Sequence, residues 1–394
     1  MLGNLPSLRT SLTLTGVLAL CACSTVPETE TPVTPTPSEH SSVHFEASTW
    51  NGVPAAQPGS WQSALSALQQ SCLSMRMQND WAQVCQTATS AAPSSAEVFF
   101  RQHFTPWQVI ANGTSGTNET GLMTGYYEPL LRGSRHCGGT YQYPLYGVPD
   151  DLITVDLASL YPQLRGLRLR GKLVGNKLVP YDTRAQIDAR NDLTRKAIVW
   201  VDDEIELFFL QIQGSGRIRL PDGSMVRVGY ADQNGHQYRS IGNVLIQSGE
   251  LKASEASMQG IQAWARRNPS RVKALLAKNP SYVFFQEKPG DTSLGPTGAQ
   301  GVPLTPQASV AVDRSYWKLG TVFLVDASQS SPALKLTRPV IAQDTGGAIR
   351  GPIRFDYFWG FGDEAGRQAG RQKSRARAWV LVPNGMQPQA MLSH

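Results

Sequence analysis

Apolar positions recur along this chain with two different periods, and the period separates two kinds of element. Over residues 61–78, Trp61, Leu65, Leu68, Cys72 and Met75 return every three or four positions, which predicts an amphipathic helix laid on a core. The aromatic stretch Glu97–Trp107 continues that layer. From Thr124 to Val228 the spacing shortens and turn residues multiply, so strands are predicted over 140–148, 177–181, 197–203, 206–214, 216–220 and 224–230. Pro221-Asp222-Gly223 closes a hairpin between the last two. Helical spacing returns over 239–247, 254–267 and 270–278, the last opened by Pro269. A Gly/Pro/Thr-rich loop covers 288–308, and short β segments fill 308–382. No internal repeat is present.

Composition agrees with a turn-rich β protein. Apolar residues make up 41% and charged residues 17% of 394, which is enough to build a large core and excludes global disorder. The 36 glycines and 26 prolines exceed the usual share and favour many turns over a helical bundle. The net charge of +6 is scattered, so there is no nucleic-acid footprint. An anionic polymer or surface stays a candidate partner.

The N-terminus reads as an address. Residues 1–22 carry one charge, Arg9, then the apolar run SLTLTGVLALCA, too short to span a bilayer and suited to a secretory signal. It ends Leu20-Cys21-Ala22-Cys23, which resembles a bacterial lipobox with Cys23 acylated after cleavage at Ala22. Ser24 in place of Asp resembles the choice that sends lipoproteins to the outer membrane. Residues 23–48, rich in Pro, Thr, Ser and Glu, are expected to be a disordered tether, which would not hold His40 and His44 on one helical face as metal ligands. In an oxidising compartment Cys72 and Cys85 are candidates for a disulfide, which leaves Cys137 spare. No cysteine–histidine set has zinc spacing, and no nucleotide-binding or zinc-protease signature occurs.

The densest chemistry lies in QDTGGAIRGPIRFDYFWG, residues 343–360. Asp344 and Asp356 flank a glycine-rich turn that can return both to one end of a sheet. Ile353, Phe355 and Tyr357 alternate with Arg354, Asp356 and Phe358, so Asp356 sits on the face opposite the apolar set, in aromatic company. Lost solvation raises a carboxyl's pKa, and a carboxylic acid near neutral pH can protonate a glycosidic oxygen. Asp beside Gly also caps turns, so spacing alone leaves both readings open.

The cluster closely resembles the membrane-bound lytic murein transglycosylase A family, with its three-aspartate domain. The three aspartates stand here as Asp313 in SVAVDRSYWKLG, Asp344 in AQDTGG and Asp356 in RFDYFWG. MTGYYEP (123–129), FFLQIQGSGRI (208–218), GYADQNGHQYRSIG (229–242), NPSYVFFQ (279–286) and GDEAGRQAG (362–370) extend the resemblance over nearly all of 120–384. It implies a mainly β fold with flanking helices: a double-psi β-barrel from 49–124 and 283–384, a β-rich domain inserted at 125–282, and a groove between them. Residues 385–394 would be a tail. It implies an enzyme that cuts the β-1,4 bond between N-acetylmuramic acid and N-acetylglucosamine without water or cofactor, leaving a 1,6-anhydro end. Asp356 would act as acid and then base, with Asp344 orienting it or stabilising positive charge, and Asp313 would hold a loop. Tyr126 and Tyr127 would stack on sugars, and Gln213, Gly214, Ser215 and Gly216 would meet their hydroxyl and acetamido groups. Glycan strands, the outer membrane through Cys23, and cell-wall synthesis or scaffold proteins are the expected partners.

Two other enzyme and non-enzyme readings compete: an inverting hydrolase with Asp344 activating water, and a murein-binding lipoprotein without turnover. The acidic run Asp202, Asp203, Glu204 and Glu206 reads as a solvated strand end, and His236 as structural. Arg367, Arg371, Lys373, Arg375 and Arg377 give a basic C-terminal face, either simply solvated or attracting an anionic wall.

Overall fold

The computed structural model describes residues 42–75, 79–113, 116–164, 167–289 and 294–393. The leader, Cys23 and the chain up to residue 41 lie outside the described residues. The chain opens with β1 (Ser42–Ala47), α1 (Ser60–Met75), α2 (Asn79–Ser90), α3 (Ala96–His103), β2 (Phe104–Gly113), β3 (Gly116–Asn118) and β4 (Gly121–Glu128). A second lobe follows: β5 (Leu130–Ser134), β6 (Tyr143–Tyr146), β7 (Ile153–Thr154), β8 (Arg170–Val174), β9 (Lys177–Pro180), α4 (Arg184–Ile187), β10 (Ala197–Val201) and α5 (Glu204–Gln213). Its remainder is β11 (Ser215–Arg219), β12 (Met225–Gln233), α6 (Ile241–Gln247), α7 (Met258–Arg267), α8 (Val272–Leu276) and β13 (Val283–Glu287). The chain returns through β14 (Ser309–Val312), β15 (Val322–Ser330), β16 (Ala333–Thr345), β17 (Arg354–Phe361), α9 (Gly362–Arg371) and β18 (Lys373–Pro383).

Six strands close on themselves in the order β4-β18-β15-β16-β14-β17 and back to β4. Two of the six pairings, β14 with β16 and β17 with β4, are parallel; the rest are antiparallel. The result is a six-stranded double-psi β-barrel. Apolar residues at every second position fill it: Phe323, Phe355 and Tyr357 are fully buried, and Phe323 meets Trp317 and Phe355 edge to face at 4.8 and 5.2 Å. The apolar stripe of α1, with Trp61, Leu65, Leu68, Cys72 and Met75, packs on this core from outside. The second lobe is a sheet in the order β13-β12-β11-β5-β10-β6, flanked by a three-stranded sheet β7-β8-β9 and by helices.

Sheet membership moves the lobe boundaries from those expected. β4 stays in the barrel through Glu128, so the crossing falls there and not at residue 125. β13 pairs with β12 and keeps residues through Glu287 in the second lobe, beyond the expected 282. The crossing is pinned by a buried ion pair: Arg217 on β11 donates to Glu128 at 2.8 Å and lies 4.1 Å over the Phe361 ring. Burial raises the Glu128 pKa, and the Arg217 charge opposes that rise.

Three expectations are corrected. Residues 42–47 are not tether: β1 pairs along β2, and Phe45 is buried against Trp317, because Val43 and Phe45 alternate with polar residues. The last residues are not a loose tail, since Met391 is buried and its carbonyl accepts from the Lys318 backbone at 3.0 Å. Residues 206–214 are not a strand, and the acidic run that follows the end of β10 opens a helix. Asp203 caps α5, accepting from the Ile205 and Glu206 amides at 2.8 and 3.0 Å. Gly214, at φ 78°, ends the helix with its N–H on the Leu210 carbonyl. Ile205, Phe208 and Phe209 are buried at helical spacing, so the capped periodicity overrides the strand preference of the aromatic residues.

The hairpin at 221–223 forms as β11–β12, and Cys72 is bonded to Cys85 across 13 residues while Cys137 is exposed and free. Replacing both bonded cysteines with Ala is expected to lower the urea midpoint by the equivalent of about 3 kcal/mol. Reduction of the unmodified protein should give a similar shift. A midpoint unmoved by either treatment would show that the α1–α2 layer does not need this link.

Candidate active site

β17 and β4 run parallel with Asp356 opposite Thr124 and Phe358 opposite Tyr126. Phe355, Tyr357 and Met123 point into the barrel, so Asp356, Thr124, Phe358 and Tyr126 share its outer face. Thr124 donates its hydroxyl to Asp356 Oδ1 at 2.6 Å. Burial pushes the Asp356 carboxyl up to about 6, and the nearby Asp344 charge adds to the rise. The Thr124 hydroxyl and the Arg354 guanidinium oppose it without cancelling it.

Asp344 ends β16 in the same region. Its Oδ1 accepts from the Ala299 and Thr345 amides at 3.0 and 2.9 Å, and its Oδ2 accepts from the Tyr126 hydroxyl at 3.0 Å. Burial raises its pKa as well, against the pull of those donors. Burial, and after it the charges of Asp344 and Asp356, hold the Tyr126 phenol well above the usual range, so it stays a donor. Its ring lies 5.2 Å from Phe358 in a small apolar cluster with Leu304, Ala311 and Ile349. Asp313 is apart from the pair. It is 2% exposed and accepts from the Ser315 amide and hydroxyl and from the Gly351 amide at 2.8 Å, which ties the glycine-rich turn to the end of β14.

The residues expected to hold sugar are distributed differently. Tyr126 offers its hydroxyl to Asp344 and not an open ring face. Tyr127 falls on the opposite face of β4, where its ring packs on Gly366 and its hydroxyl approaches Met258 Sδ at 3.5 Å. It lines a cavity of about 210 Å³ between the lobes, with Gln213, Ile212 and Tyr238. Gln213 Oε1 accepts from the Tyr127 amide at 3.1 Å. The Gly214 N–H is committed to the helix cap. Gly216 is buried in β11, where a Cβ would stand 2.3 Å from Leu210, so it is a packing position. Ser215 is part-buried at the start of β11, paired with Gly229 of β12. His236 points inward, with Nε2 2.7 Å from the Tyr181 carbonyl. The residues that sequence reading missed as site members are Thr124, Arg354 and the Ala299 amide. Thr124 stood inside the MTGYYEP motif, but nothing local marks it as the partner of a carboxyl 232 positions away.

Fold and site define a class: a two-lobed β protein whose barrel presents a protonatable carboxyl, backed by a second, on its outer face. Residues 122–286 match the family model of the MltA specific insert domain, and residues 308–382 match the 3D domain. Membrane-bound lytic murein transglycosylase A of Escherichia coli K12 is 36% identical over 283 residues, spanning 70% of this chain and 68% of the relative. MltA of Neisseria gonorrhoeae superposes with a TM-score of 0.77 at 37% identity, over 90% of this chain and 97% of that one. The lytic transglycosylase LtgG of Burkholderia pseudomallei is 44% identical with a TM-score of 0.62, over 88% and 98%. Escherichia coli MltA with bound chitohexaose has a TM-score of 0.67 at 28% identity, over 86% and 94%. The chain belongs to the family of membrane-bound lytic murein transglycosylase A.

The raised pKa has a consequence for stability. Below about pH 3.8 Asp356 is protonated in both folded and unfolded chains. Between that value and about 6 the unfolded chain ionises first, so stability falls as pH rises, and above 6 the loss is complete. Asp356→Asn keeps an acceptor for Thr124 and carries no charge. It is expected to be more stable than the parent at pH 8 by on the order of 2 kcal/mol, with the gain shrinking toward pH 4. Urea unfolding at the two pH values reads this. A variant less stable at pH 8 would mean that the carboxylate is well solvated after all.

Proposed function

We propose that this protein is a lytic transglycosylase that cleaves the β-1,4 bond between N-acetylmuramic acid and N-acetylglucosamine in murein. The observation that carries the proposal is Asp356, a carboxyl on an outer barrel face whose pKa burial pushes up to about 6. In the first step its proton passes to the glycosidic oxygen as the C1–O4 bond breaks. In the second step the muramyl C6 oxygen bonds to C1, and its proton passes to the Asp356 carboxylate. Acid and base are thus one group in succession, no water is consumed, and the enzyme ends as it began. Thr124 orients the carboxyl through Oδ1 and leaves Oδ2 for the sugar.

Asp344 stabilises the positive charge that develops at C1. Its two oxygens already accept three hydrogen bonds, which suits a fixed negative charge better than a base that must take a proton from water. This argues against the inverting-hydrolase reading. Gln213 lines the cavity on the face of β4 opposite Asp356, so it would meet sugars away from the bond that is cleaved. Acylation at Cys23 would anchor the protein to the outer membrane. The lipobox-like leader supports this, and so does the description of the relatives as membrane-bound.

Mass spectrometry of fragments released from murein sacculi tests the reaction. Products should carry 1,6-anhydromuramic ends, one water lighter than hydrolytic ends. Hydrolytic ends would make the protein a hydrolase, and retention on sacculi without release would make it a binding module. Asp356→Ala should fold, bind glycan and lose at least about a thousandfold in kcat/KM. Because the acid must be protonated, kcat/KM of the parent should fall as pH rises through about 6. A profile flat from pH 5 to 8 would contradict the acid assignment.

A further inference from the structure

The barrel face that carries Asp356 also carries a row of cations. Along β18, Ser374, Ala376 and Ala378 are buried while Lys373, Arg375 and Arg377 are exposed. In the antiparallel ladder with β4, Lys373 stands opposite Thr124 and Arg375 opposite Leu122. In the parallel ladder with β17, Thr124 stands opposite Asp356 and Leu122 opposite Arg354. Residues paired across neighbouring strands place their side chains on the same face. One cross-strand row is therefore Asp356, Thr124, Lys373, and the adjacent row is Arg354, Leu122, Arg375. Lys373 and Arg375 stand two strand spacings from β17, about 10 Å.

Among the described residues, no carboxylate neutralises Lys373 or Arg375. Arg377 is ion-paired with Asp326 at 2.9 Å. Among the described residues neither Lys373 nor Arg375 has such a partner, and Arg375 only donates to the Thr120 hydroxyl at 3.0 Å. A neutral sugar chain has no use for this. The hydroxyl and acetamido groups of a murein strand carry no charge, whereas the peptide on the lactyl group of each muramyl residue carries carboxylates. The distance fits: about 10 Å is spanned by roughly three extended residues.

We propose that Lys373 and Arg375 form a carboxylate-binding ledge beside the cleavage site, which takes the acidic peptide carried by the muramyl residue. The proposal rests on murein being the substrate. The guanidinium offers a planar fork of donors and the ammonium a point charge, so together they suit a flexible chain with more than one carboxylate. Contacts at such exposure are individually modest and are screened by salt.

The test compares soluble glycan strands with peptides intact and the same strands stripped by an amidase, for the full chain and for K373Q/R375Q and K373E/R375E. At low salt the unaltered protein should favour peptide-bearing strands about tenfold in kcat/KM, mainly through KM, and the preference should fade at high ionic strength. The preference should fall to near unity in K373Q/R375Q and invert in K373E/R375E, with melting temperatures showing that both fold. A preference unchanged in both variants overturns the ledge. So does an unchanged preference with lost binding to anionic phospholipid vesicles, because the row would then serve a membrane surface. Absence of anhydro products from either substrate with the unaltered protein would instead sink the reaction on which the ledge depends.

Discussion

A carboxyl that has lost most of its water, and is kept in place by one threonine hydroxyl, is the constraint on which this structure turns. Asp356 on β17 and Thr124 on β4 meet only because those strands pair in parallel. Parallel neighbours need a long crossover between them, and here that crossover contains the entire second lobe. The strand that steadies the acid is thus the strand from which the second lobe departs. Glu128, four residues beyond Thr124, carries the buried pair to Arg217 that fixes the departure.

The rest of the site is stiff for a related reason. Asp344 and Asp313 each accept three hydrogen bonds and Tyr126 donates one, and the partners come from β4, β16 and the loops after β13, after β14 and before β17. Polar groups taken from water inside such a network carry a penalty if one partner moves, so the network has one arrangement. That is the preorganisation a proton donor needs, since its charge changes during turnover while its surroundings should not.

β4 also separates two environments. Its outer face carries Thr124 and Tyr126 with the carboxyls, and its other face carries Gly125 and Tyr127 beside the inter-lobe cavity. A shift of one residue in the β4 register would exchange the two sets. β18 extends the outer face, so the carboxyl chemistry and the cations Lys373 and Arg375 are parts of one surface.

Much of this was legible in the sequence. The alternation over 353–358 put Asp356 on the face away from the core, Cys72 and Cys85 were near enough to pair, and Pro221-Asp222-Gly223 closed its hairpin. These features depend on short-range periodicity and turn chemistry, and the family resemblance rested on motifs that are contiguous in the chain. Residues 206–214 were misread because aromatic content suggests a strand when the caps at Asp203 and Gly214 are not weighed. The tether and tail were misread because composition ignores a partner strand or a core that lies far off in sequence. Tyr126 and Tyr127 looked alike as neighbours, yet a strand sends them to opposite faces, and only the pairing of β4 decides which one reaches Asp344. The sequence by itself determined which carboxyls were available and which faces they occupied. The tertiary structure alone decided which were desolvated and what held them, because those depend on groups brought together across more than two hundred residues.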